Sequence, residues 1–174
     1  KNKFKLLMVG NICKNKNQEL AIKILTNSTD LTLTIVGSGE QEDYLKMKYS
    51  NYIKQQKLFF KGHQENTRNF FIESDALLIL SRNEGLPLVL LEAMSYGLPV
   101  ISSKAGGIEE VIKHKKNGLL LKKNNLFFLS KNIKKLIDNE RLYKKISINS
   151  RNTIKEKFTQ EIMFNNIYKL INSI

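Results

Sequence analysis

The sequence predicts an α/β fold, a Rossmann-like, doubly wound parallel sheet of about six strands with a C-terminal helical tail. Two observations predict it. Short apolar runs alternate with helical periodicity from residue 4 to about residue 121, the signature of βα units stacked into a parallel sheet. Glycines recur in the segments after those runs, where loops at the carboxyl edge of such a sheet let backbone approach a ligand. At 174 residues, with no repeat, linker or low-complexity break, the expectation is one domain over residues 1–174.

The elements follow in order. Residues 4–9 read as the first strand, then a loop over 10–16 and a helix carrying Leu20, Ala21, Ile24 and Leu25. Residues 31–36 make the second strand, Gly37-Ser-Gly39 the turn after it, and 40–56 one helix. A third strand is expected over 58–61 and a short helix over 67–73. The fourth strand, 76–80, feeds a loop over 81–86 and a helix that Pro87 opens and Gly97 with Pro99 closes. The fifth strand spans 100–102, followed by Lys104-Ala-Gly-Gly107 and a helix through Lys113. Asn117-Gly118 turns the chain into a last strand over 119–121, and from Leu126 onward the pattern is helical. Phe158 opens a final stretch whose apolar positions Ile162, Met163, Ile167 and Leu170 suit packing within this domain or against another.

Composition excludes several classes. The chain is 41% hydrophobic and 26% charged, ordinary for a globular domain, and no apolar run approaches the ~18–20 residues of a membrane-spanning helix. The lone Cys13 excludes an internal disulfide framework and suits a reducing compartment, so a cytoplasmic address is expected. His63 and His114 are the only histidines and make no metal site. The net charge of +13 is uneven: residues 113–157 carry fourteen Lys/Arg against Asp138, Glu140 and Glu156. An anionic membrane surface would suit this stretch, and so would simple solvation; a nucleic-acid partner is not expected, since no stacking-aromatic or zinc motif accompanies it.

The helix after Pro87 holds the chemistry. Leu88, Val89, Leu90, Leu91, Ala93 and Met94 are apolar nearly all round, so the helix is expected to be buried with one acid, Glu92, embedded in it. The first free amides, those of Leu88 and Val89, form an anion site at the positive end of the helix dipole. Lys16, on another loop of the same edge, is placed to neutralise that anion. Glu84 lies at the mouth, and Glu92 sits about 6 Å deeper than the helix start at ~1.5 Å per residue. Two such acids suit the vicinal diols of a ribose or a sugar ring on either side of a phosphate. This requires both acids to face a common cleft rather than to point into salt bridges.

These residues resemble the retaining family-4 glycosyltransferases of GT-B fold, in their C-terminal, donor-binding half. Glu84, seven residues, Glu92 matches the family's most diagnostic element, within Ser81-Arg-Asn-Glu-Gly-Leu-Pro-Leu-Val-Leu-Leu-Glu-Ala-Met-Ser-Tyr-Gly-Leu-Pro-Val100. Gly106-Gly-Ile-Glu-Glu110 and Asn117-Gly-Leu-Leu120 are similar too, and the likeness weakens after about residue 125. The resemblance implies a nucleoside-diphosphate sugar donor, a UDP-sugar above all, with catalytic roles for Glu84 and Lys16. It implies that Glu84 holds sugar hydroxyls, Glu92 the ribose diol, and the backbone at Gly85, Leu86, Leu88 and Val89 the sugar and phosphates. The loop near Phe60 and Gly62 would take the base. Near the first strand the family has Gly-Arg and, five residues after the Arg, a Lys, both cations on the diphosphate; Gly10 and Lys16 match, whereas Asn11 stands where the family has arginine.

The chain has no Asp-x-Asp, which agrees with the family's metal-independent chemistry and implies no cofactor. The resemblance further implies transfer with retention in bacterial surface polysaccharide assembly (capsule, lipopolysaccharide), on an acceptor that is lipid-linked at the inner membrane face. The resemblance also implies an N-terminal, acceptor-binding domain beyond these residues, so this half alone is expected to bind donor and turn over little. The alternatives are an epimerase-like or another nucleotide-binding Rossmann-like domain. A dinucleotide fingerprint is not one of them, because Gly37-Ser-Gly39-Glu-Gln-Glu42 lacks the third glycine.

Overall fold

The computed structural model describes residues 3–159 together with 161, 162, 164, 168 and 171. Met163, Ile167 and Leu170 of the final apolar stretch lie outside the described residues. Six parallel strands form one sheet in the order β3-β2-β1-β4-β5-β6: β1 (Phe4–Val9), β2 (Leu31–Val36), β3 (Leu58–Phe60), β4 (Ala76–Ile79), β5 (Val100–Ser102) and β6 (Leu119–Leu120). β1 and β2 pair along their whole length, from Phe4↔Leu31 to Val9↔Val36, while β1 meets β4 only at Leu6↔Ala76 and Leu7↔Leu77. The strand order reverses direction between β1 and β4, and the helices that follow these two strands, α1 (Gln18–Lys23) and α5 (Leu88–Ser95), lie on opposite faces of the sheet, the arrangement that places a crevice at the strands' carboxyl ends.

The apolar runs are strands because both faces of the sheet are covered. Leu6, Met8, Leu33, Ile35, Ala76 and Leu78 pack on one side with Ala21, Ile22, Leu45, Leu129, Ile133 and Ile146. Leu7, Val36, Leu77 and Ile79 point to the other, onto Phe71, Leu90, Ala93, Met94, Ile108 and Val111. The first side is therefore lined by α1 (Gln18–Lys23), α2 (Glu42–Lys48), α7 (Leu126–Asp138) and α8 (Glu140–Lys157). The second is lined by α4 (Arg68–Glu73), α5 (Leu88–Ser95) and α6 (Ile108–Val111). Glu19 in the first turn of α1 ties that helix to α2, accepting from Lys48 Nζ at 2.9 Å and from the Tyr49 hydroxyl at 3.0 Å. The Lys48 hydrogen bond holds the Glu19 carboxyl below its usual range, and burial followed by Glu19 pushes the Tyr49 hydroxyl up to about 12.

Several expected boundaries move. The helix expected over 40–56 is two, α2 and α3 (Ser50–Lys54), because Tyr49 leaves helical geometry (φ −113°, ψ 24°). The third, fourth and last strands each end one residue early, and α6 stops at Val111 rather than Lys113. The helical tail breaks at Asn139, whose side chain accepts from the Leu142 N–H at 2.8 Å and so caps α8, as Asn125 caps α7 through Phe128. Arg151 of α8 reaches α5, donating from Nε (3.2 Å) and Nη2 (2.9 Å) to the Tyr96 carbonyl at the end of that helix. Among the described residues no helix is long and apolar enough to cross a membrane.

Candidate functional site

Five loops meet at the carboxyl edge, and glycine decides how closely they approach. Gly37 (φ +129°) lies against the Gly10 carbonyl, and its N–H donates to the Gly62 carbonyl at 2.7 Å, so the first, second and third loops interlock there. Gly106 (φ +50°) lies under the Glu84 carbonyl, and the Gly107 N–H donates to the Gly85 carbonyl at 3.1 Å. The loop after β5 thereby supports the loop that carries Glu84. Both approaches need a residue without Cβ.

Lys16 and Glu84 come together across the switch point. The Lys16 ammonium pairs with Glu84 Oε1, and the Ser81 hydroxyl donates to the same oxygen at 2.8 Å. The side chains are 27% and 13% exposed, so the pair sits in the crevice rather than in open solvent. Glu84 thus does form a salt bridge, contrary to the expectation of an acid free of one. The partner is the crevice's own lysine, brought there because the β1–α1 and β4–α5 loops leave adjacent strands.

The helix that follows is not the buried one the sequence suggests. Leu90, Ala93 and Met94 face the core, but Leu88 is 73% exposed and Glu92 is exposed. Leu86, in the loop just before it, is 42% exposed as well. Glu92 lies one turn beyond Leu88 on the same face, and its carboxylate has no hydrogen-bond or ion-pair partner among the described residues. Pro87 is the N-cap, extended at φ −72° and ψ 127°, rather than the first helical residue. The first closing bond runs from the Leu90 N–H to the Pro87 carbonyl at 3.0 Å, so the amides of Leu88 and Val89 precede it and stay available to an anion. At the other end Gly97 (φ +72°) closes the helix, with the Gly97 N–H on the Met94 carbonyl and the Leu98 N–H on that of Ala93, both 3.0 Å.

The remaining expected residues fall on the same edge. Asn11 is exposed; its carbonyl accepts from Gln18 Nε2 at 2.8 Å and its side-chain oxygen lies beside Gly39. Phe60 is half-buried, with Lys46 Nζ 5.6 Å from its ring centroid. Gly62, at φ +65°, has open space where a side chain would be. Lys14, two residues before Lys16, lines a notch with Asn17, Gln41, Tyr44 and Arg82. Among the described residues no cluster of three His, Cys, Asp or Glu is placed to hold a metal ion.

Sequence reasoning missed the residues that support the pair. Ser103, buried after β5, donates to the Ser81 carbonyl at 2.6 Å, and Ser81 in turn holds Glu84. Asn15 joins the two loops: Nδ2 donates to the Asn83 carbonyl (2.9 Å), Oδ1 accepts from the Asn83 N–H (3.1 Å), and its own carbonyl accepts from the Arg82 N–H (2.9 Å). Asn17 adopts the left-handed region (φ 56°) to turn the loop into α1, a conformation that asparagine tolerates better than most residues.

Comparison with known proteins bears on the family and the fold. The chain is 34% identical over 152 residues to an uncharacterised glycosyltransferase of Haemophilus influenzae, which covers 84% of this chain and 43% of that protein. It is 32% identical over 165 residues to the UDP-Gal:alpha-D-GlcNAc-diphosphoundecaprenol alpha-1,3-galactosyltransferase of Escherichia coli, covering 91% of this chain and 42% of that protein. The chain therefore spans less than half the length of these two relatives. The crystal structure of Anabaena Alr3699/HepE in complex with UDP superposes with a TM-score of 0.90 at 23% identity, over 99% of this chain and 50% of that one. The family model for glycosyl transferases group 1 matches residues 1–153, and the chain belongs to that family.

Proposed function

We propose that this chain is the donor-binding half of a retaining glycosyltransferase of GT-B fold, acting on a nucleoside-diphosphate sugar, a UDP-sugar above all. The observation that carries the reading is the meeting of Lys16 and Glu84 beside the open N-terminus of α5, at the point where the strand order reverses. The names of two relatives support it: the E. coli protein takes a UDP-sugar, and the Anabaena protein binds UDP. In this reading the diphosphate rests on the amides of Leu88 and Val89 and on Lys16, with Gly10 and Asn11 close by. Glu84, with Gly85 and Leu86, holds the sugar hydroxyls, Glu92 holds the ribose diol, and the Phe60–Gly62 loop takes the base.

The chemistry follows from where charge develops. Breaking the bond between the anomeric carbon and the phosphate oxygen leaves negative charge on the diphosphate, facing one ammonium and the positive end of a helix. Stabilising that leaving group favours an oxocarbenium-like transition state without a metal ion. Attack from the same face retains configuration, so Glu84 orients the sugar and is not a nucleophile. Lys16, released from Glu84 to the phosphate, does the electrostatic work. Asn11 leaves the site one cation short of the family pattern.

The acceptor and its linkage would come from an N-terminal domain, so donor binding without robust transfer is the expected behaviour of this chain. A lipid-linked acceptor, as in the E. coli relative's name, and a role in bacterial surface polysaccharide assembly complete the proposal. The basic 113–157 stretch and the exposed Phe127 on α7 suit an anionic membrane face on the cytoplasmic side. Titration calorimetry with UDP-, GDP- and ADP-sugars tests the central reading. Tight binding of one nucleotide class supports it, and binding of none overturns it.

A further inference from the structure

We infer that Asn15 is a positioning residue of the donor site, its side-chain amide setting the register between the loop that carries Lys16 and the loop that carries Glu84. This rests on the donor-site reading of that pair. The sheet itself does not supply the register. The β1–β4 ladder pairs only Leu6 with Ala76 and Leu7 with Leu77, and from that last pair the chain runs nine residues to Lys16 and seven to Glu84 before the two face each other.

Asn15 bridges that gap as a strand would. Its Nδ2 and Oδ1 take both main-chain groups of Asn83, at 2.9 and 3.1 Å, and its own carbonyl takes the Arg82 N–H at 2.9 Å. The residues next in sequence on each side, Lys16 and Glu84, are the ones that pair. A side chain that donates and accepts at this length is asparagine: aspartate only accepts, and glutamine is a methylene too long. Asn83 is exposed and Asn15 half-buried, neither in the hydrophobic clusters, so the staple orders two loops without holding the core.

The test uses the chain with UDP and UDP-glucose as probes, in wild type, Asn15→Ala, Asn15→Asp, Glu84→Ala and the Asn15→Ala/Glu84→Ala pair. The readout is the ratio of the two affinities, which isolates the sugar contact. Asn15→Ala is expected to shift that ratio roughly tenfold to a hundredfold toward the Glu84→Ala value, in line with the cost of a misplacement of about 1 Å. Asn15→Asp, which keeps the acceptor for the Asn83 N–H, is expected to fall between. In the Glu84→Ala background the Asn15 substitution should leave the ratio unchanged, because the group it positions is gone. A ratio within twofold of wild type overturns the inference. So does an equal shift in both backgrounds, or a parallel loss for both ligands with a lowered melting temperature, which marks a merely structural role.

A ligand-free arm separates this inference from the donor-site reading. Amide exchange at Arg82 and Asn83 is expected to quicken in Asn15→Ala while the strands stay protected. Unchanged exchange overturns the staple even if the chain binds no nucleotide. If neither ligand binds the wild type, the donor-site reading fails, and the positioning role fails with it whatever the exchange shows.

Discussion

Placing one methyl group at Gly106 tests how the crevice is held. A Cβ there would stand 1.7 Å from the Glu84 carbonyl oxygen, whereas real Cβ contacts essentially never fall under 3.0 Å. The oxygen must therefore retreat by about 1.3 Å or more, and it belongs to the residue whose carboxylate meets Lys16. The left-handed backbone (φ +50°) adds ~1–2 kcal/mol for an L-residue. At ~2–4 °C per kcal/mol for a domain of this size, Gly106→Ala should melt roughly 2–8 °C lower than wild type. Displacing Glu84 should also cost the sugar contact, a charge-assisted bond of about 1.5–3 kcal/mol, or roughly 10- to 150-fold. Calorimetry should show UDP-glucose binding weakened by that factor and UDP binding changed far less. Gly107→Ala is the graded comparison. Its Cβ would stand 3.1 Å from the Gly85 carbonyl at an ordinary φ of −65°, so its effects should be several-fold smaller. If Gly106→Ala melts and binds like wild type, the β5–α6 loop does not support Glu84 and the reasoning fails.

Glu92→Ala should weaken UDP and UDP-sugars alike, by about 1.5–3 kcal/mol, while Glu84→Ala should weaken only the sugar-bearing ligands; the opposite pattern by calorimetry would reverse the two roles. His114 accepts the Leu120 N–H at 3.0 Å through Nδ1, and burial, then Lys115, Lys135 and Lys104, hold its pKa below 6.5. The unfolded chain therefore binds the proton first, so stability should fall as pH drops below about 6.5 and level off under the folded-state pKa. Denaturant titrations of His114→Asn should lack that step; an identical pH profile would remove His114 as its source. Liposome flotation should show binding to anionic vesicles that weakens on replacing Lys131, Lys134 and Phe127, and equal binding to neutral vesicles would discard the membrane face.

Much of the fold was legible because its strands are short and covered on both sides. Runs such as Leu-Thr-Leu-Thr-Ile-Val at residues 31–36 and Ala-Leu-Leu-Ile at 76–79 have few other uses in a chain of this composition. The break at Tyr49 was not legible, since the tyrosine itself does not forbid a helix, and its hydroxyl contact with Glu19, thirty positions earlier, leaves no local pattern. The eight-residue spacing of Glu84 and Glu92 was legible, but the surroundings of Glu92 were not. Leu88 reads as core in sequence, yet it stands exposed at the start of α5. The support of the pair was invisible for another reason. Asn15 and Asn83 lie 68 positions apart, and a polar contact over that separation leaves no periodic trace.

The guanidinium of Arg151 has a mechanical consequence. It grips the carbonyl that ends α5, the helix whose opposite tip carries the free amides of Leu88 and Val89, and a methyl at Gly97 would fall 2.3 Å from its Nε. The rod is thus clamped at its far end by a segment 55 positions later in the chain. A cut or a bulky replacement in that later segment would let the rod pivot and, in the proposed donor site, unseat the nucleotide without touching any group in contact with it.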